Sequence, residues 1–556
     1  MRAVCSLLFF YGDRHIFALQ TNKIGIVMKY PIGIQSFDQL INGGYVYVDK
    51  TDLVYSLVTE GKIYFLGRPR RFGKSLLVST LEHYFLGHKE LFKGLKIDSL
   101  EKEWLEYPVF HVDFNSNNFL EAGTLERKLE GYVATWEQEY GSAPQWADLG
   151  DRFAYVLKRA HERTGRRCVV LVDEYDKPLL DVLDTGVKVE ANGQEYLLED
   201  WNRQVLRSFY SVFKAADADL QFVLLTGVTK FSQVSVFSGF NQPADISMVP
   251  DFDTLCGITQ EELEHYFAEP IAELAQRYRR TLPGIMELLK RRYDGYHFSS
   301  RLVDVYNPFS LLNVFRYKEM QDYWFSTGTP TYLLRLLNRA REGLNQLTGR
   351  YYQRREFIDY KATAEKPLPM IYQSGYLTIK DYNWDRDMFL LDYPNNEVKD
   401  GFLTMVAADY LNPEKSIGSS IQDMTDMLKA GDLESFHKIL TSFLASIPYT
   451  MRRKENERER ERYFHYTFYL ILRLMSLYTV YTEKEQSEGR VDCIIETDNY
   501  VYIFEFKLDG TAAEALKQIE EKGYARPYEA DKRKLYKVGV NFSSETGTVD
   551  GWQVVE

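Results

Sequence analysis

Short runs of β-branched and aromatic residues recur along the first half of the chain. Longer stretches with apolar residues at helical spacing separate them. Tyr45-Val-Tyr-Val48, Ile63-Tyr-Phe-Leu66, Val109-Phe-His-Val-Asp-Phe114, Cys168-Val-Val-Leu-Val-Asp173 and Phe222-Val-Leu-Leu-Thr226 read as strands. The 168–172 run is apolar without interruption, as expected of a parallel strand buried on both faces. A helix is predicted over 76–85, and a mostly helical stretch over 119–163. Residues 181–200 hold six acids against one Lys, with Gly186 and Asn192-Gly193, and read as an exposed loop. Strands alternating with helices predict an α/β fold, a parallel sheet with right-handed crossovers.

Past about Cys256 the pattern turns helical. Strands are then predicted at 369–372, 376–379 and 388–391, the last after a turn at Asn383-Trp-Asp. Helices followed by such a hairpin predict a winged-helix-like middle region, and 399–447 returns to helix. Residues 452–462 are almost all charged, with mixed signs, and read as a solvated helix start or linker. The pattern beyond them predicts a helix (463–477), strands at 478–483, 490–496 and 500–507, a helix (511–523) and a strand (535–541). That is a compact α/β unit. The expected organisation is an extension (1–27), an α/β core (28–255), a helical and winged-helix-like region (256–450) and a C-terminal unit (451–556).

At 556 residues the chain has room for three or four domains of about 150 each. Its 41 Tyr and 34 Phe exclude wholesale disorder. The net charge of −12 argues against a generally basic nucleic-acid coat protein but not against local basic grooves. Residues 61–75 carry five basic residues and no acid; 276–292 and 331–355 each carry six basic residues and one acid. The two central stretches are candidate contacts to a phosphate backbone. Cys5, Cys168, Cys256 and Cys493 form no C-x-x-C pair, which disfavours a zinc knuckle or disulfide framework and fits a reducing cytoplasm. The most apolar stretch, 466–481, is interrupted by Arg473, so no membrane span is predicted. Val4–Tyr11 is a short apolar run with only Arg2 as a basic start, a weak match to a signal peptide, and Met28 is the preferred natural start.

Two segments carry chemistry. The strand 63–66 runs into Gly67-Arg-Pro-Arg-Arg-Phe-Gly73-Lys74-Ser75 and then a helix. A loop of backbone N–H groups opening a helix, a Lys for the outer phosphates and a hydroxyl for Mg²⁺ make a phosphate cradle. With G-x4-G-K spacing, Arg68 occupies the first glycine's position. Asp173 and Glu174, at the end of a buried strand, suit Mg²⁺ and the attacking water respectively. Thr226 or Thr229, after the next buried strand, is a candidate γ-phosphate sensor.

The second segment is Asp492 near the start of one strand with Glu505 and Lys507 on the next. Alternation places Glu505 and Lys507 on one face. A charged pair inside Val-Tyr-Ile-Phe-Glu-Phe-Lys is costly to bury unless it binds something. Carboxylates for Mg²⁺ and a Lys for water are what a metal-dependent phosphodiesterase needs. Glu461, with Glu459 as competitor, and Gln518 are candidate helpers from flanking helices.

Tyr30-Pro-Ile-Gly-Ile-Gln-Ser-Phe, Tyr47-Val-Asp-Lys-Thr51, Arg68-Pro-Arg-Arg-Phe-Gly-Lys-Ser75, Leu171-Val-Asp-Glu-Tyr-Asp-Lys-Pro178, Thr226-Gly-Val-Thr-Lys-Phe-Ser232, Tyr293-Asp-Gly-Tyr-His-Phe298 and Tyr306-Asn-Pro-Phe-Ser310 together resemble a bacterial AAA-ATPase-like family. Gly489-Arg-Val-Asp492, Phe504-Glu-Phe-Lys507 and Gln518-Ile-Glu-Glu-Lys522-Gly-Tyr524 resemble the PD-(D/E)XK nuclease superfamily. The resemblance implies a P-loop ATPase core with a restriction-endonuclease-like tail. By position it assigns Lys74 and Ser75 to the phosphates and Mg²⁺, and Asp173 and Glu174 to Mg²⁺ and the water; Arg68, Arg71 and Gly73 of the loop, with Thr226, are the further candidate nucleotide contacts. It assigns Asp492 and Glu505 to a second metal and Lys507, with Glu461 and Gln518, to cleavage. Two departures stand out: the absent first glycine, and Lys522 where some superfamily members have Tyr four residues after the Gln.

The expected function is an ATP-binding, ATP-hydrolysing regulator coupled to a Mg²⁺-dependent DNA nuclease, with ATP and Mg²⁺ as cofactors. The alternative is a non-catalytic, nucleotide-switched module that binds nucleic acid or protein. No membrane partner is expected, and the sequence leaves a homo-oligomer open.

Overall fold

The computed structural model describes residues 28–115, 117–143, 145, 148–191, 193–230, 243–326, 333, 347–358, 367–411, 417–446, 467, 471, 479–486 and 489–556. In the first half, β1 (Ile63–Gly67), β2 (Val109–Asp113), β3 (Cys168–Asp173), β6 (Leu220–Gly227) and β7 (Ala244–Asp245) form a parallel sheet in the order β2-β3-β6-β1-β7. Every residue of β3 is buried, which is what its unbroken apolar run required. Helices Lys74–Phe85, Thr124–Tyr140, Leu149–Thr164 and Leu198–Ala215 contribute buried faces to the same core.

Three expectations need correction here. Tyr45–Val48 forms no strand. Tyr45 makes a single bridge to Lys29, while Val46, Tyr47 and Val48 pack as apolar props against two cores without a ladder. Residues 181–200 are not all loop: β4 (Lys188–Ala191) and β5 (Gln194–Leu197) form a hairpin. Gly193, at φ 73°, supplies the left-handed turn residue it needs. The stretch 369–372 is helical, within Leu368–Gln373. Pro369 lies in the first turn, where its missing N–H costs nothing. The helix is apolar because it is buried, not because it is a strand.

In the middle of the chain, β8 (Arg350–Gln353), β9 (Thr378–Asn383) and β10 (Met388–Asp392) form a three-stranded antiparallel sheet in the order β8-β10-β9. Its buried residues join the core of the parallel sheet. Helical residues between Ile258 and Phe315 form most of a smaller, separate core, while Tyr296, Phe298 and Val305 belong to the larger one.

The C-terminal sheet runs β11 (Thr479–Gln486), β12 (Gly489–Glu496), β13 (Tyr500–Leu508), β14 (Lys534–Phe542), β15 (Val549–Val555) in that spatial order. Only β13 and β14 are parallel. The helix Ala512–Glu521, opened by a Thr511–Glu514 capping box, connects them. The helices Ile417–Ala430 and Leu433–Ala445 share a core with this sheet, so the core's sequence span begins well before residue 451.

Candidate functional sites

The first site gathers at the C-terminal ends of β1, β3 and β6. The β1 strand ends at Gly67, and the chain turns through Arg71 (φ 68°) and Gly73 (φ 95°) into the helix at Lys74. A loop with two left-handed residues directly before a helix is the backbone shape of a phosphate cradle. Lys74 is buried, and its Nζ donates to the carbonyls of Arg68 (3.0 Å) and Pro69 (3.2 Å). Ser75 follows, half-buried, in the helix's first turn.

Asp173 ends β3 and is buried; Thr226, opposite on β6, donates its hydroxyl to Asp173 Oδ1 at 2.6 Å. Thr226 therefore orients the carboxylate. Glu174 has φ 52°, a left-handed conformation that costs a non-glycine residue energy. Burial pushes its carboxyl up, while Lys74 pulls it partly back. Strain and a perturbed carboxyl at the strand exit are marks of a reactive position.

Arg68 is placed otherwise than expected. Its guanidinium is 1% exposed and donates to the carbonyls of Gly67 (2.9 Å), Ser247 (2.7 Å) and Phe252 (3.0 Å), over the Phe298 ring. It braces the loop from outside and does not face the cradle. Arg71 is exposed and lies 4.9 Å over the Phe309 ring.

Sequence reasoning missed Asp176. Its fully buried carboxylate accepts from Val228 N (3.0 Å), Thr229 N (2.6 Å) and the Thr229 hydroxyl (2.8 Å), tying the exit of β3 to the exit of β6. The signal available was a third acid, three residues after Asp173. This also accounts for Thr229, whose hydroxyl serves Asp176.

The second site lies on β12, β13 and the helix Ala512–Glu521. It brings together four of the expected residues. Asp492 Oδ2 accepts from Phe506 N at 2.9 Å, and Asp492 N approaches Glu505 Oε2 at 3.5 Å. Gln518 bridges the other two: its Oε1 accepts from Lys507 Nζ at 2.6 Å, and its Nε2 donates to Glu505 Oε1. Lys507 Nζ lies 3.8 Å from Glu505 Oε1.

Glu505 is 2% exposed. Burial, then the neighbouring Asp492 charge, push its carboxyl far above the ordinary range. A buried Glu505 carboxyl beside the half-buried Asp492 fits a hard divalent cation, which Mg²⁺-type sites hold by one or two carboxylates plus water and phosphate. Tyr524 is buried beside Gln518, whereas Lys522 is exposed at the helix end. Glu461 and Glu459 lie outside the described residues.

Of the basic stretches, 276–292 includes the helix Leu282–Tyr293. Arg277, Lys290 and Arg292 are paired with Glu319, Asp304 and Asp322; Arg279, Arg280 and Arg291 are exposed. Most of 331–355 lies outside the described residues.

A parallel-sheet core with a phosphate-type loop, joined to a mixed sheet with a carboxylate–lysine centre, defines a P-loop protein with a nuclease-fold tail. The family described as Predicted AAA-ATPase matches residues 31–237, and the PD-(D/E)XK nuclease superfamily matches residues 459–552. The chain is 36% identical over 537 residues to an uncharacterized protein of the vnfD 5′ region of Azotobacter chroococcum mcd 1, covering 95% of this chain and 98% of the relative. The chain belongs to this AAA-ATPase-like family and carries a PD-(D/E)XK-superfamily domain at its C-terminus. Among the described residues, no helix is long and apolar enough to cross a membrane.

Proposed function

We propose that the chain binds and hydrolyses ATP and thereby regulates a Mg²⁺-dependent DNA nuclease formed by its own tail. The observation that carries this is the convergence of Asp492, Glu505, Lys507 and Gln518, with Glu505 buried beside Asp492. Mg²⁺ bound by Asp492 and Glu505 would neutralise a scissile phosphate and lower the pKa of a water. Lys507, held by Gln518, orients that water. At the other site Lys74 serves the outer phosphates and Ser75 the hydroxyl ligand. Asp173, fixed by Thr226, serves the metal, and Glu174 positions the attacking water.

A non-catalytic, nucleotide-switched binder is the second reading, and the loop favours it on the side of ATP hydrolysis. Arg68 stands at the first-glycine position, and Lys74 is bonded to its own loop. A nuclease panel with Mg²⁺ or Mn²⁺, with and without ATP, separates the two. Metal-dependent cleavage that disappears in Asp492→Ala while ATPase activity persists supports the enzyme. Cleavage surviving Asp492→Ala in a clean preparation removes the assignment, and DNA binding without cleavage selects the binder.

A further inference from the structure

The residues that make this phosphate loop unusual, Arg68 to Phe72, are each gripped by residues from later in the chain. Arg68 donates to Ser247 and Phe252 carbonyls and lies 4.1 Å from the Phe298 ring centroid. Pro69 packs on Gly375 so closely that a Cβ there would come within 2.6 Å of it. The Arg70 carbonyl accepts from Trp324 Nε1 at 3.1 Å. Arg71 lies over Phe309. Phe72 is buried edge-on against Tyr296 (4.8 Å) and Phe298 (5.4 Å).

The grip is itself anchored. Trp324 N donates to Glu397 Oε1 at 2.7 Å, and the Tyr296 hydroxyl to Gly375 O at 3.1 Å. From inside the loop, Lys74 bonds the carbonyls of Arg68 and Pro69, two of the gripped residues. The ammonium that outer phosphates require is thus occupied by carbonyls that the aromatic cluster holds in place.

We propose that Tyr296, Phe298, Phe309 and Trp324 are positioning residues that set nucleotide affinity. They stabilise a loop conformation in which Lys74 is self-engaged, and a phosphate must displace it. This rests on the reading of Lys74 as a nucleotide ligand. Because binding and seating are linked, a ligand that loosens the cluster raises nucleotide affinity, and nucleotide loosens the cluster by the same factor.

The test is isothermal titration of the full chain with Mg²⁺–ATP and, separately, with inorganic tripolyphosphate. Trp324→Phe keeps a ring but removes the N–H to Arg70. Phe309→Leu is a milder change at a half-buried position. Each is expected to bind both ligands about fivefold tighter, roughly the worth of one ordinary contact. Structural damage alone weakens binding, so a gain is a readout that a merely structural role does not produce. Unchanged or weaker binding in a folded variant, with wild type binding normally, overturns this inference alone. A wild-type chain that binds neither ligand overturns it together with the nucleotide-binding reading.

Discussion

Asp492 and Glu505 face each other across neighbouring strands, one step beyond the Cys493–Phe504 pair of the β12–β13 ladder. The Asp492 amide approaches Glu505 Oε2, and the Asp492 carboxylate accepts the next amide after Glu505, that of Phe506. The ladder therefore fixes two carboxyl groups side by side, where ionising both is costly, and a cation would remove that cost.

The pH dependence of stability should reveal that cost. Glu505 has a folded-state pKa raised above its ordinary value of 4.5, through burial first and Asp492 second. Its contribution to stability is complete below the ordinary value and is lost as pH rises through the raised one. With chelator present, the melting temperature of the tail should fall with rising pH across that window. With Mg²⁺, which favours the carboxylate, the fall should shrink, and Mg²⁺ affinity should rise with pH. Asp492→Asn removes the like charge but not the burial, and should lessen the fall in the chelator profile. Parallel profiles with and without metal would count against a cation site.

Gln518 holds Lys507 and Glu505 in one arrangement. Gln518→Ala should leave the fold intact and lower cleavage about 10- to 100-fold, the usual cost of losing a group that orients a metal ligand. Lys507→Ala should abolish cleavage yet keep Mg²⁺ binding, measured calorimetrically. Equal loss of metal binding in Lys507→Ala would move Lys507 from chemistry to structure.

The alternating pattern 500–507 and the turn after 496 were enough to put Asp492, Glu505 and Lys507 in one place, because period-two geometry leaves little freedom once the hairpin is set. The same logic misled at Tyr45–Val48. An alternating apolar run becomes a strand only where another strand can pair with it, and Val46 and Val48 pack against helices instead. Arg68 was illegible for a related reason. Its position in the loop spelled phosphate, but its direction was decided by Ser247, Phe252 and Phe298, about 180 to 230 residues away in sequence.

Glu174 and Lys74 should separate binding from hydrolysis. Lys74→Ala should lose ATP binding. Glu174→Gln should keep it but hydrolyse at least about 100-fold more slowly, as expected when a general base is removed. Glu174→Gly should also lose hydrolysis while raising stability by roughly 1 kcal/mol, since glycine accepts the left-handed conformation freely. A Glu174→Gly chain less stable than wild type would show that φ 52° is not strained.

Asp176 should be needed for the core more than for chemistry. Asp176→Ala strands three buried donors, from Val228 and Thr229, and should cost about 3 kcal/mol or more in urea denaturation. Thr229→Val removes only one donor and should cost about 1 kcal/mol. If both variants cost the same, the two backbone bonds contribute little.

The C-terminal unit should not fold when cut at 451. Met424, Leu428, Phe436 and Leu440 are fully buried together with Tyr502, Phe504, Val538 and Val540. The Tyr502 hydroxyl donates to Leu428 O at 2.7 Å from a fully buried position, and His437 stacks on Trp552 with ring centroids 4.7 Å apart. Without the helices Ile417–Ala430 and Leu433–Ala445, one apolar face of the sheet is open to water, and such a face drives aggregation. A fragment spanning 417–556 should be soluble and melt cooperatively; one spanning 451–556 should aggregate. Tyr502→Phe in the longer fragment should cost about 1 kcal/mol, the net worth of one hydrogen bond. A monomeric 451–556 fragment with the melting temperature of the longer one would show that the helices merely lean on a self-sufficient sheet.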